Sequence, residues 1–166
     1  DFTYKGTIAP GKWLRNLSIP YSHNNESGTV KAQIFFPKSY EKGKSLRTII
    51  ALTGYYGNQT LWQVRTNIEK YANKYNFIIV CPNVHKTVYE MKFFPQTKTK
   101  WAKVPGGIFI GKILINYLRT TFDIAAEKSK TGIVGVQMGA LGAFLSAARF
   151  SDDIGAIAGF TGIYDK

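Results

Sequence analysis

The sequence predicts an α/β fold of the doubly wound kind, with a mostly parallel sheet and helices on both faces. Three observations predict it. Two runs, Thr48-Ile49-Ile50-Ala51-Leu52 and Phe77-Ile78-Ile79-Val80-Cys81, are continuously apolar, as strands covered on both faces are. Segments with apolar residues at three- and four-residue spacing separate and follow them. Glycine-rich turns stand where strand should pass into helix, giving a β-α-β-α-β-α-β alternation.

Taken in order, residues 13–19 and 30–36 alternate in part, and each precedes a proline, Pro20 or Pro37. They read as an antiparallel opening pair joined by the turn chemistry of residues 21–28. The first helix is expected over 60–75, with Thr60 as N-cap and Leu61, Val64, Ile68 and Tyr71 on one face. A second is expected over 107–121, where Ile110, Ile113, Leu114, Tyr117 and Leu118 form a stripe. Ile133 and Val134 begin a further buried strand, 141–149 a further helix, and 155–160 the last strand.

The 166 residues read as one domain or part of one, with the motif order along the chain favouring a single domain over 1–166 that is incomplete at its C-terminus. Their 45% hydrophobic content, with 11 Phe, 10 Tyr and 3 Trp, is too apolar for a disordered chain. No apolar stretch approaches the roughly 20 residues of a helical membrane span. The single cysteine, Cys81, excludes an internal disulfide, and its apolar run makes it a buried thiol. The chain starts at Asp1 without methionine, so either the leader of an exported protein, periplasmic or secreted, has been removed or the sequence is cut from a longer one, and the first is the expectation.

A net charge of +12 is unevenly spread: residues 51–122 carry ten Lys or Arg against two acids, and residues 123–166 four against five. Such a field favours anionic ligands or surfaces. The lysines are scattered, without a run or an arginine-rich helix, so no specific nucleic-acid partner is expected. Residues 83–105 hold five of the lysines and one acid, with Tyr89, Phe93, Phe94 and Trp101 among them. A connection this long in a compact domain is usually functional, and it leaves a buried strand at the carboxyl edge, where ligands bind in α/β sheets. His85, Tyr89 and Trp101 are therefore the expected ligand-binding residues.

Strand 131–134 runs into Gly135-Val136-Gln137-Met138-Gly139 and a small-residue helix beginning Ala140-Leu141-Gly142-Ala143. This is the order of a nucleophile elbow, whose middle residue is thrust above the sheet. In a serine hydrolase that residue is Ser; here it is Gln137. An amide nitrogen is delocalised into its carbonyl, so no neighbouring base turns it into a useful nucleophile. Leu52-Thr53-Gly54-Tyr55-Tyr56-Gly57-Asn58 occupies the place of an oxyanion-hole loop, whose partner donor would be the N–H of Met138. No cluster has metal-ligand spacing and no phosphate-binding glycine loop follows the first buried strand, so neither a metal nor a cofactor is implied.

In this order Gly54-Tyr55-Tyr56-Gly57-Asn58, Val80-Cys81-Pro82-Asn83, Gly135-Val136-Gln137-Met138-Gly139-Ala140 and Gly159-Phe160-Thr161-Gly162-Ile163-Tyr164-Asp165 resemble one family. It is the esterase family of α/β-hydrolases that holds esterase D (S-formylglutathione hydrolase), feruloyl and acetyl-xylan esterases, and the mycolyltransferase antigens. The resemblance spans about residues 12–165 and implies an α/β-hydrolase fold with Tyr55 and Met138 at the oxyanion-hole positions. Three departures stand out. Gln137 replaces the serine, Thr53 stands where many members have histidine, and the family's last two strands, with its acid and histidine, have no counterpart.

Two functions follow as expectations. The first is a degenerate, non-catalytic esterase relative that binds a glycan, acyl or anionic ligand. The alternative is a carboxylesterase completed by sequence or a partner outside this chain, with Gln137 a substitution of the catalytic serine. His23, in an early turn, is set apart from the elbow, and Asp165 reads as a solvated terminal carboxylate. The strand at 155–160, left as a sheet edge, could pair with a second chain.

Overall fold

The computed structural model describes residues 3–92 and 103–162. Among the described residues, six strands form one sheet in the order β1-β2-β4-β3-β5-β6. They are β1 (Lys12–His23), β2 (Glu26–Phe36), β3 (Arg47–Leu52), β4 (Phe77–Pro82), β5 (Thr131–Val136) and β6 (Ala156–Phe160). β1 and β2 pair antiparallel, β2 joins β4 antiparallel, and β4, β3, β5 and β6 run parallel. The expected fold class holds, with its antiparallel opening.

The opening hairpin is longer than its alternation suggests. Asn24 and Asn25 both have positive φ, 48° and 64°, which makes a two-residue turn of the kind whose twist matches that of the flanking strands. The strands therefore extend almost to each other through the polar residues of 21–28. Pro20 sits inside β1 without harm because β1 is an edge strand that needs no N–H there. A register shift between Leu14 and Leu17 places Asn16 at φ 58°, a local bulge.

Side chains alternate across the central strands into two cores. Ile34, Phe36, Ile50, Leu52, Ile78, Val80 and Ile133 face one side, against Phe109, Leu114, Leu118 and Ala143. Phe35, Ala51, Ile79 and Cys81 face the other, against Trp62, Ile68 and Ala72. Both continuous apolar runs are thus covered twice, as their composition requires.

The expected helix over 60–75 is two helices, α1 (Leu61–Arg65) and α2 (Ile68–Tyr75). Thr66 is extended, at φ −140° and ψ 169°. Its hydroxyl donates to the Trp62 carbonyl at 2.5 Å and accepts from the Ile68 N–H at 3.2 Å, closing one helix and opening the next. Thr60 makes no side-chain cap bond. Its N–H and hydroxyl instead donate to Asn58 Oδ1 at 2.9 and 2.8 Å. The break rotates the helical face, so Val64 and Tyr71 are exposed while Trp62 and Ile68 are buried.

The second expected helix runs through α3 (Gly106–Ile108), a π-helical stretch (Phe109–Leu114) and α4 (Ile115–Phe122). Its stripe at Ile110, Leu114 and Leu118 is buried as expected. Gly111 sits in the π stretch because a Cβ there would overlap the Phe150 ring. The last helix, α5 (Met138–Arg149), starts three residues earlier than the sequence suggests and packs on β5 and β6. Among the described residues, β6 pairs only with β5 and forms the sheet edge. No helix among them is long and apolar enough to cross a membrane.

Candidate ligand site at the carboxyl edge of the sheet

Because β3, β4 and β5 are parallel, the chain leaves all three on the same edge. Gln137 alone separates β5 from α5, with φ 54° and ψ −118°. That backbone region is open to glycine and costs another residue about 1–3 kcal/mol, so the surroundings must over-determine it. The Gln137 N–H donates to the Phe160 carbonyl at 3.0 Å, and the Ala140 N–H to the Gln137 carbonyl at 3.0 Å. Two glycines permit the turn. A Cβ on Gly135 would overlap the Gly139 carbonyl, and one on Gly139 would lie 2.6 Å from the Thr53 oxygen and 2.7 Å from the Leu52 oxygen. The start of α5 thus rests backbone to backbone on the end of β3.

The same approach brings Gln137 onto the loop after β3. A Cβ on Gly54 would overlap Gln137 Oε1 and lie 3.1 Å from Gln137 Cβ, so the amide side chain lies over Gly54. The loop is closed by the Gly57 N–H donating to the Gly54 carbonyl at 3.0 Å. Tyr55 follows Gly54 directly. Met138 is the first residue of α5, and the first N–H groups of a helix have no partner within it and carry its positive dipole end. Gln137, Tyr55 and Met138 are therefore gathered at one place.

The loop after β4 behaves differently from expectation. His85 is exposed with φ 55°, and its backbone N–H donates to Asn83 Oδ1 at 3.2 Å. Its imidazole has no hydrogen bond among the described residues. Tyr89, expected to meet ligand, is a core residue, 1% exposed. Its hydroxyl donates to the Thr53 carbonyl at 3.3 Å and its ring fills the space above Gly142. Burial first, and the neighbouring Glu90 charge second, push its phenol well above the ordinary range. Trp101 lies outside the described residues, as do Phe93, Phe94 and Asp165.

Three residues were missed by sequence reasoning. Glu90 is buried, and its carboxylate accepts from Thr87 Oγ1 at 2.8 Å, the Val88 N–H at 3.2 Å and the Gly106 N–H at 3.4 Å. It ties the two ends of the long connection together, and its signal was being the one acid among five lysines. Arg149 Nη1 adds a bond to the Tyr89 carbonyl at 2.6 Å. Lys86 stands with Nζ 5.6 Å from the Tyr55 ring centroid and 5.3 Å from that of Tyr56. Its position beside His85 was the available signal.

His23 ends β1, four strands away from β5 in the sheet order, which at about 4.8 Å per strand sets it roughly 19 Å to the side. Among the described residues no three His, Cys, Asp or Glu side chains gather as a metal site would require.

A mostly parallel sheet with helices on both faces and a strained strand-to-helix turn at its carboxyl edge is the architecture of the α/β-hydrolases. The chain belongs to the family described as Putative esterase, whose model it matches over residues 24–166. It is 27% identical over 125 residues to an acetyl esterase of Caldicellulosiruptor saccharolyticus, covering 73% of this chain and 44% of that protein. Its fold is similar to that of FphF, a fluorophosphonate-binding serine hydrolase of Staphylococcus aureus, with TM-score 0.75 and 20% identity. That match covers 95% of this chain and 59% of FphF. It is similar also to the S-formylglutathione hydrolase FrmB of Staphylococcus aureus, with TM-score 0.68, 18% identity, and 95% and 62% of the two chains covered. The chain spans about half to three-fifths of the length of these relatives.

Proposed function

We propose that the chain is a non-catalytic member of this esterase family which binds an acyl, glycan or anionic ligand at the carboxyl edge of its sheet. The turn at Gln137 is its nucleophile elbow, with an amide in the place of the serine. The observation that carries this reading is the backbone of Gln137 itself, φ 54° and ψ −118° between β5 and α5, with the side chain laid over Gly54. Strain of this kind clusters at functional sites, which supports a ligand-binding role for this edge.

In an acyl-transfer site the elbow side chain attacks a carbonyl while two backbone N–H groups receive the oxyanion. Tyr55 and Met138 keep the positions of those donors here. Gln137 offers an amide oxygen and an NH2, which can hold a carbonyl or hydroxyl but cannot form the acyl intermediate. The edge thus retains the means to orient an ester-like group and lacks the means to cleave it. His85, whose imidazole has no hydrogen-bond partner among the described residues, does not restore a base to Gln137.

A carboxylesterase completed outside these residues is the second reading, favoured by the fact that the chain spans only 44% of the acetyl esterase. It still requires a nucleophile other than Gln137. Hydrolysis of p-nitrophenyl acetate by the purified chain separates the two. The expected result is no turnover above the uncatalysed rate. Turnover that disappears when one named residue is changed would overturn the proposal.

A further inference from the structure

We propose that Lys86, Tyr55 and Tyr56 form a subsite for the carboxylate of an acidic sugar, set beside Gln137. The inference rests on the reading that this edge binds ligand, and it names the chemistry. The two tyrosine rings meet edge to face with centroids 5.2 Å apart and planes at 86°. Lys86 Nζ stands over both, at 5.6 and 5.3 Å. Two aromatic faces therefore order one long side chain that would otherwise keep its rotamer freedom. Unlike a carboxylate, an aromatic face attracts the ammonium without neutralising it. The charge stays available to an incoming anion.

No carboxylate of the described residues takes that charge. The ion pairs among them join Lys44 to Glu41, Lys103 to Glu26, Arg119 to Asp153 and Lys130 to Glu127. The acid nearest in sequence, Glu90, is buried and already accepts from Thr87, Val88 and Gly106. Tyr56 supplies the second feature, an aromatic side chain 85% exposed on which the apolar face of a sugar can stack. Gly54, under the Gln137 amide, directly precedes the two tyrosines. A neutral sugar would use the ring and leave the ammonium idle; a bare anion would do the reverse. A sugar carrying a carboxylate uses both at once.

Titration calorimetry at low salt, where the charge contribution is least screened, tests this with trigalacturonic acid and its methyl-esterified form. The acid is expected to bind the chain about fivefold more tightly than the ester, the worth of one partly exposed ion pair. Lys86→Met is expected to reduce the acid to the affinity of the ester. Lys86→Arg is expected to keep the preference, and Lys70→Met, on the exposed side of α2, to leave it unchanged. Equal binding of acid and ester, equal losses in Lys86→Met and Lys70→Met, or binding of neither probe overturns the subsite. The reading it rests on fails separately: turnover of p-nitrophenyl acetate would remove the non-catalytic reading and leave a Lys86-dependent acid preference standing.

Discussion

The turn after β5 and the connection after β4 reach the same sheet edge by opposite means. At Gln137 the chain is fixed by sterics, since Gly135 and Gly139 admit backbone contacts that any side chain would block. After β4 the chain is fixed by polar side chains: Glu90 collects Thr87, Val88 and Gly106, and Arg149 holds the Tyr89 carbonyl. A steric turn is written locally, in glycine spacing. A polar clamp is written across 16 residues in one case and 60 in the other, and reveals itself only when folded.

That contrast predicts unequal costs. Gly135→Ala should be the most damaging change, because the clash is with backbone and cannot relax by rotating a side chain. A loss of more than about 3 kcal/mol is expected from urea unfolding. Glu90→Leu should cost about 2–3 kcal/mol by the same measurement, through buried donors left without an acceptor. Glu90→Gln should cost less, since its amide oxygen still accepts. If Glu90→Leu matched Gly135→Ala, the two regions would not differ in kind.

Gln137→Gly should move stability the other way. Relief of a positive φ outweighs the added freedom of the unfolded chain, for a gain of about 0.5–1 kcal/mol. A loss instead would show that the Gln137 side chain contributes more than its backbone costs. The smallest effect concerns the cores. Burial pushes the Cys81 thiol, like the Tyr89 phenol, well above its ordinary value. The unfolded thiol ionises near 8.5 while the folded one stays neutral, so stability is full below that pH and falls as pH rises through it. Native Cys81 should resist iodoacetamide at pH 9 and react once urea unfolds the chain.

Much of the fold was legible because its signals are local. The runs at β3 and β4, the stripe at Ile110, Leu114 and Leu118, and the glycines around Gln137 each carry their own period or spacing. What was not legible depends on distant partners. The break at Thr66 arises because its hydroxyl can serve two helices at once, and the apolar spacing runs straight through it. Tyr89 looked like a ligand-facing aromatic in a basic loop, yet the Thr53 carbonyl and the space above Gly142 draw it inward. Lys86 looked like one scattered lysine among many until the fold set it over two tyrosine rings.

An amide in the elbow position of a hydrolase frame offers no nucleophile that can be acylated. Intact mass after incubation with a fluorophosphonate probe tests it most directly. The chain should keep its mass, with no covalent adduct. An adduct that forms in the folded chain but does not form in the urea-unfolded chain, or that fails to form in Gln137→Ala, would contradict it.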